Sequence, residues 1–585
     1  RKPLPLWTWE CLNERCVPSR ATRTSKLQSI VSCNMLCGSL QLWPQPTGDV
    51  ILASSAVPTR VDLMQLRIKL TTSKAIHEYL RDAYDLMRDD LRKMERLANG
   101  FAEWRSLIIR VIVNGSEDPR LRLNTDESYK LVLRHNNKSR NSLVANIYGR
   151  TFCGVRHAFE TLTQLIWLDA YTGSLMILEE ANVEDKPRFR YRGLMLDTAT
   201  NYFPVSDILR TIDAMAASKL NTFHWHACDS QSFSLNLSSV PELSEHGVYS
   251  PGIVYTPEDI QTVVDRASLR GIRVIIEIDV PAFENVSHCL DATETVLSPY
   301  GQLNPRSPDV FKLLERIYAE IIQLTSVNDV FHLGGNDISK TCWTDGVNSS
   351  FASELSLLYT KSVLEHLESV NGKLPNLTLF WLSEISDRLK TDLKNYVPNI
   401  GLQTRCSSWA LSLVSGMRTV ASYEDAWDLN SGFGTWYAKG DGAPYNSWQR
   451  VYDHRPWLRE TQITEGGEAT VWSSTLSPGG LDARIWPRAA ALAERLWSDR
   501  AEGATMSVQA RLDMHRSRLV SRGVQAAPLF SMWCSHNPFT CYLLNLSNKI
   551  IYISIRTAFI LNSSLGNTIF SAGYCPLLMK TIIPL

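Results

Sequence analysis

The stretch Val330-Phe331-His332-Leu333-Gly334-Gly335-Asn336-Asp337 reads as a short apolar strand entering a Gly-Gly turn, with two short polar side chains, Asn336 and Asp337, set at the strand's end. The same rhythm repeats on both sides of it. From residue 190 onward the chain offers strand-like runs at 192–196, 222–226, 273–278, 330–333, 377–381, 400–403, 419–422 and 469–472. Helical stretches at 205–218, 257–270, 308–325, 351–368 and 484–497 fall between many of them. Eight alternations over about 300 residues predict an α/β fold, a (β/α)8 TIM barrel. In such a barrel chemistry sits at the C-terminal strand ends. Polar residues cluster there: Asp197, His226 to Asp229, Asp279, the Asn336-Asp337 pair, and the amphipathic Trp472.

Upstream the pattern differs. Residues 1–55 are rich in Cys, Trp and Pro. Residues 56–187 carry strand-like runs at 61–70, 107–113, 129–133 and 175–178 and helical runs at 75–99 and 149–167, an α+β order. The barrel domain is expected over 188–541 and an atypical tail over 542–585. Within that tail the uncharged run 557–579 is long enough to span a bilayer, but Asn562, Ser563, Ser564, Gly566 and Asn567 interrupt it, which argues against a membrane anchor.

At 585 residues the chain exceeds one ordinary core. Lys plus Arg (60) equals Asp plus Glu (60), so the charge balance gives no reason to expect nucleic acid or an anionic membrane surface as a partner. Cys11 and Cys16, followed by Cys33 and Cys37, and the late pair Cys534 and Cys541 have the close spacing of disulfides; a zinc site is the rival reading, but no flanking His completes a ligand set. Sequons at Asn114, Asn137, Asn236, Asn285, Asn348, Asn376 and Asn545 agree with a secreted or lysosomal setting. No Gly-rich phosphate loop, metal cluster or Ser/His/Asp spacing stands out, and no cofactor or metal is expected.

The motifs resemble glycoside hydrolase family 20, the β-N-acetylhexosaminidases. Arg192-Gly193-Leu194-Met195-Leu196-Asp197-Thr198 is similar to that family's first barrel strand, and Phe223-His224-Trp225-His226 with Asp229-Ser230-Gln231-Ser232-Phe233 to its second. Ile485-Trp486-Pro487-Arg488 through Leu496-Trp497 resembles its last barrel helix. Trp7-Thr8-Trp9-Glu10-Cys11 and Trp533-Cys534 look like the arthropod, chitooligosaccharide-degrading branch. The resemblance implies a zincin-like α+β domain before the barrel. It also implies β-linked N-acetylhexosamine oligosaccharides or glycans as ligands, and a homodimer through barrel loops.

It further implies substrate-assisted catalysis, in which the sugar's acetamido oxygen attacks the anomeric carbon, a Glu acts as general acid and a neighbouring Asp stabilises the cationic oxazolinium. The family's Asp-Glu pair is Asn336-Asp337 here, so Asp337 holds the acid's position and Asn336 the stabiliser's. A carboxyl at 337 falls about 1 Å short, and a misplacement of that size costs on the order of 10²-fold. Asn336 carries no negative charge, a loss of on the order of 10²–10³ in rate.

Other positions depart as well: Thr200 replaces the Arg that grips sugar hydroxyls, and Phe283 the His that links the acid to Asp229, a remnant of that relay. Arg405 replaces a wall Trp, Asp428 and Asn430 stand for Tyr and Asp, and Ser474 for Glu. His226, His332 and Trp472 remain as substrate-binding candidates, although His224, His226 and His332 read more simply as buried, hydrogen-bonded barrel residues. The expected function is that of a member of the family that is inactive or severely impaired as a hydrolase. The alternative is an exo-β-N-acetylhexosaminidase that removes terminal GlcNAc or GalNAc with Asp337 as acid.

Overall fold

The computed structural model describes residues 5–24, 27–38, 41–100, 102–229, 232–279, 303, 305–335, 349–382, 386–405, 416–434, 443–458, 463–536, 545–546 and 549–550. The chain forms two compact units, Arg1–Phe530 and Ser531–Leu585.

The first unit starts with a hairpin. β1 (Trp7–Leu12) pairs antiparallel with β2 (Arg15–Arg20) across Asn13 and Glu14, both with positive φ, as a two-residue hairpin turn requires. Helix α1 (Ile30–Leu36) packs on it, and the disulfides Cys11–Cys37 and Cys16–Cys33 hold hairpin and helix together. These four cysteines are therefore disulfide partners and not a zinc set.

Next comes a mixed eight-stranded sheet of β3 (Val50–Leu52), β4 (Ala56–Leu70), β5 (Arg105–Val113), β6 (Tyr129–Asn136), β7 (Ser139–Gly149), β8 (Ile166–Asp169), β9 (Ser174–Leu178) and β10 (Ala181–Asp185). The strand order is β3-β10-β6-β7-β5-β4-β9-β8. Along β5 the buried residues Leu107, Ile109, Val111 and Val113 alternate with half-buried ones, so one face of the sheet carries the core. Helices α2 (Lys74–Glu95) and α3 (Phe152–Gln164) are part of that core; α2 contributes Ile76, Leu80, Met87 and Leu91 at helical spacing.

The single helix expected over 149–167 is instead the end of β7, then α3, then β8. Thr151 caps α3 by accepting from Gly154 N–H at 3.2 Å. Every α3 residue is buried, including the polar stripe Arg156, Glu160, Thr163 and Gln164, which bonds to Ala216, Arg522 and Trp43 instead of facing solvent.

β11 (Tyr191–Asp197), β12 (Thr222–His226), β13 (Arg273–Glu277), β14 (Val330–His332), β15 (Leu377–Trp381), β16 (Ile400–Thr404), β17 (Arg418–Ala421) and β18 (Ile463–Val471) form a second, all-parallel sheet in the order β13-β12-β11-β18-β17-β16-β15-β14. The first of these strands in the chain, β11, pairs with the last, β18, which curls the sheet into the expected barrel. Outward residues such as Leu194, Phe223, Ile276, Phe331 and Leu402 join the core shared with the surrounding helices. The helix expected over 484–497 is two, Leu481–Ile485 and Arg488–Ser498, separated at Pro487, which has no N–H to continue the ladder.

The second unit contains a short helix, Met532–His536, and a two-stranded pair, Asn545–Leu546 with Lys549–Ile550. Cys534 is disulfide-bonded; Cys541 and the run 557–579 lie outside the described residues. Among the described residues no helix is long and apolar enough to cross a membrane.

Candidate functional site

Side chains alternate along a strand, so every second residue of each barrel strand points to the barrel axis and the inward groups stack in layers. One layer is apolar, with Tyr191, Ile275, Val330, Leu377 and Val420. Above it lies a polar layer: His224, Glu277, His332, Gln403 and Glu468, all fully buried. The mouth above that is built from Asp197, His226, Asp279, Trp381, Arg405 and Trp472, at or just past the strand ends.

Buried charges in the middle layer are matched one to another. His226 Nδ1 lies 2.6 Å from Glu277 Oε2, and Trp381 Nε1–H donates to Glu277 Oε1 at 2.5 Å. His224 Nε2 is 3.0 Å from Glu277 Oε2, and His332 Nδ1 is 3.3 Å from Oε1. On the other side His224 Nδ1 meets Glu468 Oε1 at 2.8 Å; Gln403 Nε2–H and Tyr191 O–H donate to the same carboxylate at 2.7 and 2.6 Å.

Burial disfavours the charged form of His224, but Glu468 and Glu277 outweigh it and raise its pKa to about 9. Burial likewise opposes a charge on His226, yet Glu277 lifts it to about 10. Burial and the charge of His224 instead lower His332. Glu277 is held well below the ordinary carboxylate range, against its own burial, by His332, His226 and His224. Two sets, His224-Glu277-His332 and Asp197-His226-Asp229, bring ligand-type atoms within 4.8 Å of one another. Hydrogen bonds within the protein already engage these groups: Asp197 with Ala199, Thr200 and Ser473, Asp229 with Thr200 and Ser232, and the three imidazoles with Glu277, Glu468 and Gln403.

Gly334 and Gly335 turn the chain over Asp279. Gly334 has φ +67°, and a Cβ there would lie 2.4 Å from Asp279 Oδ1, so only glycine fits. Gly335 N–H donates to that same Oδ1 at 2.7 Å, and Trp381 N–H donates to Gly334 O at 2.9 Å. Asn336, Asp337 and Phe283 lie outside the described residues.

The other candidate positions have definite surroundings. Asp197 accepts from Ala199 and Thr200 N–H through Oδ1 and from Ser473 N–H and O–H through Oδ2. Thr200 Oγ1–H donates to Asp229 Oδ2 at 3.2 Å, and Ser232 N–H to Asp229 Oδ1 at 3.1 Å. Asp428 accepts from Asn430 N–H at 2.7 Å, and Asn430 Oδ1 accepts from Arg484 at 2.6 Å. Burial raises the Asp428 pKa. Ser474 is exposed. His332 is wholly buried, whereas His226 packs edge-on against Trp472 with ring centroids 5.1 Å apart.

Arg405 is the distinctive group of the mouth. Its guanidinium carbon lies 5.1 Å from the Trp472 ring centroid and 5.6 Å from that of Trp381, and Nη2 pairs with Glu424 Oε1 at 2.7 Å. The two indoles, 6.1 Å apart, thus share one cation. Sequence reasoning overlooked Glu277 and Glu468. Their signal was an acidic residue at an inward position of a strand buried on both faces.

A family model described as Glycosyl hydrolase family 20, catalytic domain, matches residues 189–500, and one described as beta-acetyl hexosaminidase like matches 42–165. The chain is 32% identical to the "Probable beta-hexosaminidase fdl" of Drosophila melanogaster over 92% of both chains. It is 34% identical to the "Chitooligosaccharidolytic beta-N-acetylglucosaminidase" of Bombyx mori, covering 92% of this chain and 95% of that one. Among solved structures, a GH20 exo beta-N-acetylglucosaminidase from Vibrio harveyi in complex with N-acetylglucosamine shares the fold, with TM-score 0.65 and 20% identity over 89% of this chain and 84% of the other.

Proposed function

Because the chain belongs to glycosyl hydrolase family 20, we propose that it is a hydrolytically silent descendant of β-N-acetylhexosaminidases. In this reading its ligand class stays that of the named relatives, β-linked N-acetylhexosamine oligomers. The observation that carries the proposal is Arg405 lying across Trp472 and Trp381.

Substrate-assisted cleavage builds a positive oxazolinium, and a fixed guanidinium in the same mouth opposes that charge. Glu424 offsets part of the repulsion but also holds the cation in place. Asn336 supplies no compensating carboxylate, and Asp337 is a short acid. Thr200, which binds Asp229, offers no guanidinium for a sugar hydroxyl. The disulfides of the first unit fit an oxidising compartment, secreted or lysosomal.

A chromogenic β-N-acetylglucosaminide assay tests this. The expected result is no turnover from the natural chain, and none from Asn336→Asp with Asp337→Glu, because Arg405 still occupies the mouth. Adding Arg405→Trp to that pair is expected to raise the rate by at least about 10²-fold. Turnover by the natural chain at about 1–10³ s⁻¹, abolished by Asp337→Ala, would overturn the proposal.

A further inference from the structure

On the outer face of the N-terminal sheet the register aligns Ile112 with Tyr148, Tyr148 with Lys130, and Lys130 with Glu184. This row floors a groove of about 510 Å³, with Asn114 and Arg150 at its rim. Tyr148 is 43% exposed, so its ring is open to a ligand. Asn114 is exposed and begins the sequon Asn114-Gly115-Ser116. Its position is fixed by the backbone. Gly115 and Ser116 N–H both donate to Arg150 O, at 2.9 and 3.0 Å, and a Cβ on residue 115 would lie 2.6 Å from that oxygen.

We propose that Asn114 carries an N-linked glycan whose first N-acetylglucosamine lies on Tyr148 and fills this groove. In the transfer, the Asn114 side-chain nitrogen loses a proton and bonds to the anomeric carbon of a lipid-diphosphate-linked oligosaccharide, and the lipid diphosphate leaves with the bonding electrons. The disulfides place the chain in a compartment where such donors act. The groove is within the usual size for a bound small molecule, about 300–1,000 Å³. Tyrosine offers both an apolar face to the sugar's C–H groups and a polar tip.

Other sequons differ. Asn236 is half-buried, donates its N–H to Tyr255 O at 2.9 Å and lies 3.5 Å from Ser244 Oγ. Asn137 and Asn376 are exposed and do not line this groove.

The test is secretion of the full chain from insect cells, glycopeptide mapping by mass spectrometry, and timed release by peptide-N-glycosidase before and after unfolding. The Asn114 glycan is expected to be present and to leave the native protein at least about 10-fold more slowly than the unfolded one. Tyr148→Ala is expected to abolish that difference without changing occupancy. A secreted protein unmodified at Asn114, equal release before and after unfolding, or protection unaltered in Tyr148→Ala would each overturn the proposal.

Discussion

Glu277 shows what a single buried carboxylate can organise. Three imidazoles and an indole N–H converge on it, and two of those imidazoles are held charged. Glu277→Gln leaves those cations poorly matched, and a cost of about 3–5 kcal/mol is expected in denaturant unfolding. The titration has a definite direction. His224 and His226 have folded pKa values of about 9 and about 10 against an ordinary 6.5, so the folded chain binds their protons more tightly than the unfolded chain. Their stabilisation is complete below pH 6.5 and fades as pH rises through 9 to 10. Melting temperatures should therefore fall from pH 6.5 to 10 in the natural chain, and much less in His224→Gln with His226→Gln. A flat profile in the natural chain would contradict the charge assignment. At this scale the sequence was only partly legible: the strand ends showed where polar groups gather, but that Glu277 and Glu468 share His224 follows from strands far apart in the chain.

Elements were easier to read than their partners. The barrel strands are short apolar runs between helices, and the helix Pro257–Leu269 carries its own start signal. Thr256 Oγ1 accepts from Asp259 N–H at 3.1 Å while Asp259 Oδ2 accepts from Thr256 N–H at 3.0 Å, a reciprocal capping box. Thr256→Ala should cost about 1 kcal/mol in chemical denaturation; an unchanged midpoint would show that the cap is not needed there. β7 was missed because polar residues at its start, Ser139, Arg140 and Asn141, mask the apolar run from Leu143. β10 was missed because Glu184 and Asp185 look like a linker. Yet Asp185 is buried, accepting from Lys219, Tyr129 and Trp497. Burial patterns set by tertiary packing overrode the local signal in both cases.

Across the whole first unit, the sheet domain and barrel are joined by buried ion pairs. Arg192, on the first barrel strand, grips Glu127 with both guanidinium ends, at 3.0 and 2.5 Å, and Lys219 meets Asp185 at 2.9 Å. Arg192→Met should therefore destabilise by about 3–5 kcal/mol and separate one cooperative melt into two, which calorimetry can resolve. A single unshifted transition would show that the pair is dispensable. Strand order has a further consequence for synthesis. Among the described residues no hydrogen-bonded ladder joins β13 to β14, although the two strands are neighbours and Gly335 N–H reaches Asp279 Oδ1 between their ends, so the ladder runs from the three-stranded to the four-stranded half through β18. Before Ile463–Val471 is synthesised, the edges of β11 and β17 that it pairs lack their partner and are exposed for other strands to add to. A nascent chain halted just short of that segment is thus the form most dependent on chaperones, and closure is a late, long-range event in its folding.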